Sequence, residues 1–165
     1  MNTKTLAVIT FSGALTCLSG MPGSADAEPC RHVGGGVLTN FLQPADCASS
    51  FQNLCTDGTA TGDLKGAVGV SVLGISGNAF HVHHHWVTES GDTIFLKDAV
   101  LTSFPTPDPN RILADYLNGV DIIGGTGAFD GATGRVFAFG AADLKLGEIT
   151  LRYAGTLCFK PVPPP

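Results

Sequence analysis

Charge is scarce in this chain: Asp, Glu, Lys and Arg make up 14% of its 165 residues, against 44% hydrophobic residues. That balance excludes a disordered, charge-solvated polymer. Basic residues are scarcer still, nine Lys and Arg against 14 Asp and Glu, for a net charge of -5. Such a surface repels phosphate backbones and anionic lipid, so nucleic acid is not an expected partner. The 22 glycines follow no three-residue repeat, which excludes a collagen-type helix. No long 3.6-residue period of apolar positions occurs, and the Gly-x-Ser-x-Gly elbow, the His-Glu-x-x-His helix and a phosphate loop are all missing. Gly124-Gly125-Thr126-Gly127 lacks the Lys-Ser/Thr that a phosphate loop requires.

What is present begins with an export signal. Lys4 supplies one positive charge, Leu6 to Leu18 form an apolar stretch too short for a comfortable membrane span, and Ala25-Asp26-Ala27 offers a signal-peptidase site. Lipidation at Cys17 is the rival reading, but Thr16 stands where a small residue normally precedes that cysteine. Residues 1–27 are therefore expected to be removed, leaving a secreted or periplasmic chain with no membrane span. The mature part keeps Cys30, Cys47, Cys55 and Cys158. An even number of cysteines in an exported chain predicts two disulfides, of three conceivable pairings. No Cys-x-x-Cys pair supports zinc instead.

Residues 28–62, with Gly34-Gly35-Gly36, Pro44 and three of these cysteines, read as a loop-rich segment carrying one or two strands near Val33 to Leu42. Residues 63–160 read differently. Runs rich in Val, Ile, Phe, Thr and Leu (Leu64 to Ile75, Asn78 to Thr88, Thr93 to Phe104, Arg111 to Ile123, Arg135 to Ala142, Glu148 to Phe159) are separated by Gly, Asp, Asn and Pro. These are consecutive antiparallel strands. In the last run Ile149, Leu151, Tyr153 and Leu157 alternate with Glu148, Thr150, Arg152 and Thr156, one face buried and one wet. The expected fold is all-β, a single antiparallel barrel of about eight strands, with residues 161–165 a proline-rich tail.

The segment from Ile122 to Gly134, IIGGTGAFDGATG, followed later by Leu151 to Leu157, LRYAGTL, resembles the allene oxide cyclase and dirigent barrels. These share a Gly-Gly-Thr/Ser-Gly-x-Phe-x-x-Ala/Val-x-Gly turn between two late strands. The resemblance runs from about Cys55 to Phe159 and implies an eight-stranded barrel with Phe129 plugging one end. It also implies an apolar lumen that shapes a small organic ligand, as in cyclases and isomerases of that family, and a symmetric homo-oligomer. No catalytic position carries over, because the early strands diverge.

Four of the five histidines lie in Phe80-His81-Val82-His83-His84-His85-Trp86. As a strand, this places His81, His83 and His85 on one face and Phe80, Val82, His84 and Trp86 on the other. One reading has the first face solvated and the second filling the lumen. Another uses Gly77, His83, His85 and Glu89, whose spacing is similar to the first metal motif of the cupins and implies a divalent metal. Leu96 replaces that motif's final glycine, and no histidine follows Glu89 to complete the second motif. His84, polar among aromatics, needs a hydrogen-bond partner and is the first candidate for metal-free catalysis.

Between Arg111 and Ile123 either Tyr116 and Asn118, or Asp115, would face the lumen. Lys97 and Asp98 should lie on opposite faces. The ligand contacts expected are Phe80, Val82, Trp86, Tyr116, Phe129 and Tyr153, the last with its hydroxyl at a barrel mouth. Three function classes follow: a lumen binding a small apolar organic molecule, with or without catalysis and needing no cofactor; a metal enzyme built on His83, His85 and Glu89; and an interaction barrel whose lumen is packed shut.

Overall fold

The structure is a computed structural model that describes residues 30–160. The expected export signal and the proline-rich tail lie outside those residues. Ten strands run in chain order: β1 Cys30–Phe41, β2 Cys55–Ala60, β3 Gly66–Ser76, β4 Ala79–Thr88, β5 Ile94–Leu96, β6 Ala99–Pro105, β7 Arg111–Asp115, β8 Val120–Gly125, β9 Thr133–Asp143 and β10 Glu148–Cys158. The described helical residues form only 3₁₀ turns, at Phe51–Asn53, Gly62–Leu64 and Gly127–Phe129. No helix among the described residues is long and apolar enough to cross a membrane.

All ladders are antiparallel. β10, β1, β2, β3, β4, β6, β7 and β9 pair in that order, and β9 pairs back onto β10, so the sheet closes on itself and its central strands have no free edge. β5 and β6 are two halves of one stave, as are β7 and β8. β5 pairs with β8, where Leu96 faces Ile122, and β6 pairs with β7, where Thr102 faces Asp115. The result is a closed barrel of eight staves, two of them interrupted.

One end is filled. Val33, Leu64, Ile94, Ile122, Ala132 and Leu157 are buried there, and Phe129 folds under them at 6% exposure. Gly125 permits this turn, because a side chain at that position would collide with the Cβ of Phe129 and the Thr93 carbonyl. Cys30 pairs with Cys158 across the β1–β10 ladder, and Cys47 pairs with Cys55 beside β2.

Residues 30–62 hold the strand expected near Val33 to Leu42 but are otherwise less loop-like than read. β1 is a twelve-residue stave paired on both sides. Its glycines mark a close approach rather than a turn: a side chain at Gly35 would run into the Thr61 carbonyl and the Tyr153 hydroxyl. β2, with the sequence Cys-Thr-Asp-Gly-Thr-Ala, is a second stave from this segment. It shows no apolar alternation, because its inward residues are Thr56, Gly58 and Ala60.

Candidate functional site: the barrel lumen

Inward side chains leave a cavity of ≈ 290 Å³ towards the end opposite Phe129. Its outer lining comes from the strand ends at Phe41, Leu54, Ser103, Ile112 and Ile149, together with Leu144. Deeper down the walls are Val68, Val72, Val82, Leu96, Ala138 and Leu151. Strand alternation produces this: every second residue of each stave points in, and those residues are mostly aliphatic.

The floor is Trp86 and Tyr153, packed edge to face with ring centroids 5.4 Å apart. Trp86 Nε1 donates to the Leu64 carbonyl at 2.8 Å, and the Leu64 N–H donates to Tyr153 Oη at 2.9 Å. Tyr153 Oη in turn donates to the Thr61 carbonyl at 2.9 Å. Burial pushes the Tyr153 phenol above its usual range, so it stays a neutral bridge. These polar atoms are already engaged, and the pair presents hydrocarbon to the cavity. The Tyr153 hydroxyl therefore sits at the closed end, not at the mouth where it was expected.

The two interrupted staves place the polar group of the lumen. Leu96 points in and Ala99 points in, but the break between β5 and β6 leaves both Lys97 and Asp98 exposed, against the expectation that they would take opposite faces. The second break follows Tyr116. Gly119 donates to the Tyr116 carbonyl at 2.8 Å in a turn with φ +68°, so Leu117 and Asn118 stay outside and Val120 resumes the inward row. Asn118 is thereby removed from the lumen, and Asp115 lies on the opposite face from the buried Ala114 and Tyr116.

His84 from β4 and Tyr116 meet across the break between β5 and β6. Their Nε2 and Oη are 2.8 Å apart and their ring centroids 5.3 Å apart. Burial, reinforced by the neighbouring His83, lowers the His84 pKa to about 4. Burial also raises the Tyr116 phenol well above its ordinary value. At neutral pH both are uncharged. His84 Nδ1 and Thr56 Oγ1, whose residues both line the cavity, are buried polar atoms with no partner among the described residues.

The remaining candidates are dispersed. Phe80, Val82 and Trp86 line the lumen with His84. Phe129 does not: it packs at the filled end, its ring 5.9 Å from that of Phe159, because the glycine turn carries it beneath the core. On the outer face His83 Nδ1 lies 2.6 Å from Asp98 Oδ1, His85 Nε2 lies 3.4 Å from Ser71 Oγ, and Glu89 pairs with Lys65 at 2.7 Å. Among the described residues no group of three or more His, Cys, Asp or Glu side chains is gathered to hold a metal, so Glu89 does not join the two histidines. The sequence gives no sign of the lumen threonines. Thr39 and Thr56 lie on β1 and β2, where no apolar rhythm marks an inward face.

No family model matches the chain, and no curated protein matches it. Among solved structures it is similar to that of a pterocarpan synthase dirigent protein, at 14% identity and a TM-score of 0.33, over 87% of this chain and 95% of that one. The β9–β10 ladder closes the present barrel.

Proposed function

We propose that this barrel binds a small, uncharged, largely apolar organic molecule in its lumen, with the His84–Tyr116 pair meeting that molecule's polar group. The observation that carries the reading is the cavity itself. It is near the lower end of the usual range for ligand pockets, about 300–1,000 Å³, and aliphatic walls surround one neutral hydrogen-bonded pair. No Asp, Glu, Lys or Arg among the described residues lines it, so a charged ligand would lose its hydration without compensation. An open lumen also counts against the packed-shut interaction barrel. The two disulfides support export to an oxidising compartment.

Cyclisation or isomerisation of the bound molecule is the catalytic form of the same reading. A narrow cavity restricts a flexible substrate to few conformers, which supplies proximity and orientation without ionised groups. A neutral phenol or imidazole can donate a hydrogen bond to a carbonyl or ether oxygen as it gains charge.

The test uses Trp86, the single tryptophan of the chain, as a reporter on the cavity floor. Titration with the uncharged fluorophore phenylnaphthylamine should give saturable, one-to-one binding with energy transfer from Trp86. Ala138→Leu, which fills the lumen, should weaken it at least tenfold while circular dichroism stays unchanged. Non-saturable binding, or equal affinity in a folded Ala138→Leu variant, would refute the reading.

A further inference from the structure

We propose a second site on the outer wall, a divalent-cation site formed by His83 and His85 and oriented by Asp98. Strand alternation sets both imidazoles on the same outward face of β4, two residues apart. Their ring centroids are 5.0 Å apart. A nitrogen bound to zinc at about 2.0–2.1 Å puts its ring centroid roughly 3.2 Å from the metal, so two tetrahedrally disposed imidazoles have centroids about 5.2 Å apart. The two rings already stand at the centroid spacing such a chelate requires.

The hydrogen bonds select the free nitrogens. Asp98 Oδ1 takes His83 Nδ1 at 2.6 Å, which leaves the Nε2 lone pair for a metal. This carboxylate–imidazole arrangement fixes tautomer and ring orientation at metal centres. Ser71 Oγ lies 3.4 Å from His85 Nε2 and can accept a hydrogen bond from Nε2–H, the tautomer that leaves the Nδ1 lone pair for a metal. The site is reachable, since the His83 and Asp98 side chains are 45% and 57% exposed. Two imidazoles with water completing the shell favour Cu²⁺ or Zn²⁺ over Ca²⁺ or Mg²⁺. Asp98 occupies this position because the break between β5 and β6 turns it outward beside β4.

Isothermal titration of the untagged mature chain with ZnCl₂, and separately with CuCl₂, tests the site. One ion per chain is expected, with binding abolished in His83→Ala and in His85→Ala and weakened about 10–100-fold in Asp98→Asn. Imidazole NMR signals of His83 and His85 should move on zinc addition, a readout that does not depend on the variants. Absence of saturable binding by both metals, or retention of binding in the His83→Ala/His85→Ala double variant, would overturn the site. Unchanged affinity in Asp98→Asn would overturn the orienting role.

Discussion

Acidification should destabilise this barrel through a single buried imidazole. His84 has a folded-state pKa of about 4, against 6.5 for an unperturbed histidine. The unfolded chain therefore binds a proton near pH 6.5 that the folded chain accepts only near pH 4. Between those values unfolding takes up a proton, so stability falls as pH falls. The contribution is complete above about pH 6.5 and gone below about pH 4. Its size follows from the difference between the two pKa values, roughly 3 kcal/mol. Urea unfolding at a series of pH values from 4 to 7.5, in buffer with a chelator, would measure it. The comparison is His84→Gln, which can still hydrogen-bond Tyr116 but does not titrate. Exposed carboxylates and histidines affect both proteins equally, so the wild type should lose about 3 kcal/mol more than the variant across this range. Parallel pH profiles would refute the reasoning, as would an NMR midpoint for His84 near 6.5.

Tyr153→Phe should leave the Leu64 N–H and the Thr61 carbonyl without their partner, costing about 1–3 kcal/mol; calorimetry should show Tm lower by several degrees, and an unchanged Tm would contradict the bridge. Tyr116→Phe removes the partner of His84 Nε2, and a ligand's polar group should lose affinity while an all-hydrocarbon probe does not, a contrast that paired fluorescence titrations would reveal. The disulfides should differ in worth. Cys30–Cys158 spans a separation of 128 residues and Cys47–Cys55 one of 8. Chain-entropy reasoning gives about 5 and about 2.5 kcal/mol respectively, and denaturant curves of the two Cys→Ser pairs showing the reverse order would refute the entropic account.

The sequence showed the barrel most clearly where one residue in two is apolar. In β4 and β10 the alternation alone separated His84 from its flanking histidines and Tyr153 from Arg152. The Gly124 to Gly134 turn was legible because glycines and Phe129 have few other reasons to cluster. β1 was legible only in part: a strand is expected near Val33 to Leu42, but Gly34, Gly35 and Gly36 usually mark turns and hid its full length, and the contact that demands Gly35 comes from Thr61 and Tyr153, both distant in sequence. β2 carries threonines and a glycine inward, so it has no hydrophobic rhythm. The two stave breaks were illegible as well. Nothing in Leu96-Lys97-Asp98-Ala99 or Tyr116-Leu117-Asn118-Gly119 announces the change of parity that excludes Asn118 and brings His84 to Tyr116, since that change depends on the neighbouring staves.

The Cys30–Cys158 bridge joins the first and last strands of the closed sheet. Covalently, the described chain is therefore a ring closed at this bridge. One protease cut at the exposed Leu144–Gly147 hairpin would open this ring without dividing it. Under denaturing conditions the nicked protein would migrate as a single species until a reductant was added, and only then separate into two fragments. The adjacency of Cys30 and Cys158 likewise makes the described barrel suited to circular permutation, with new termini at that hairpin and β10 joined to β1 through a short linker.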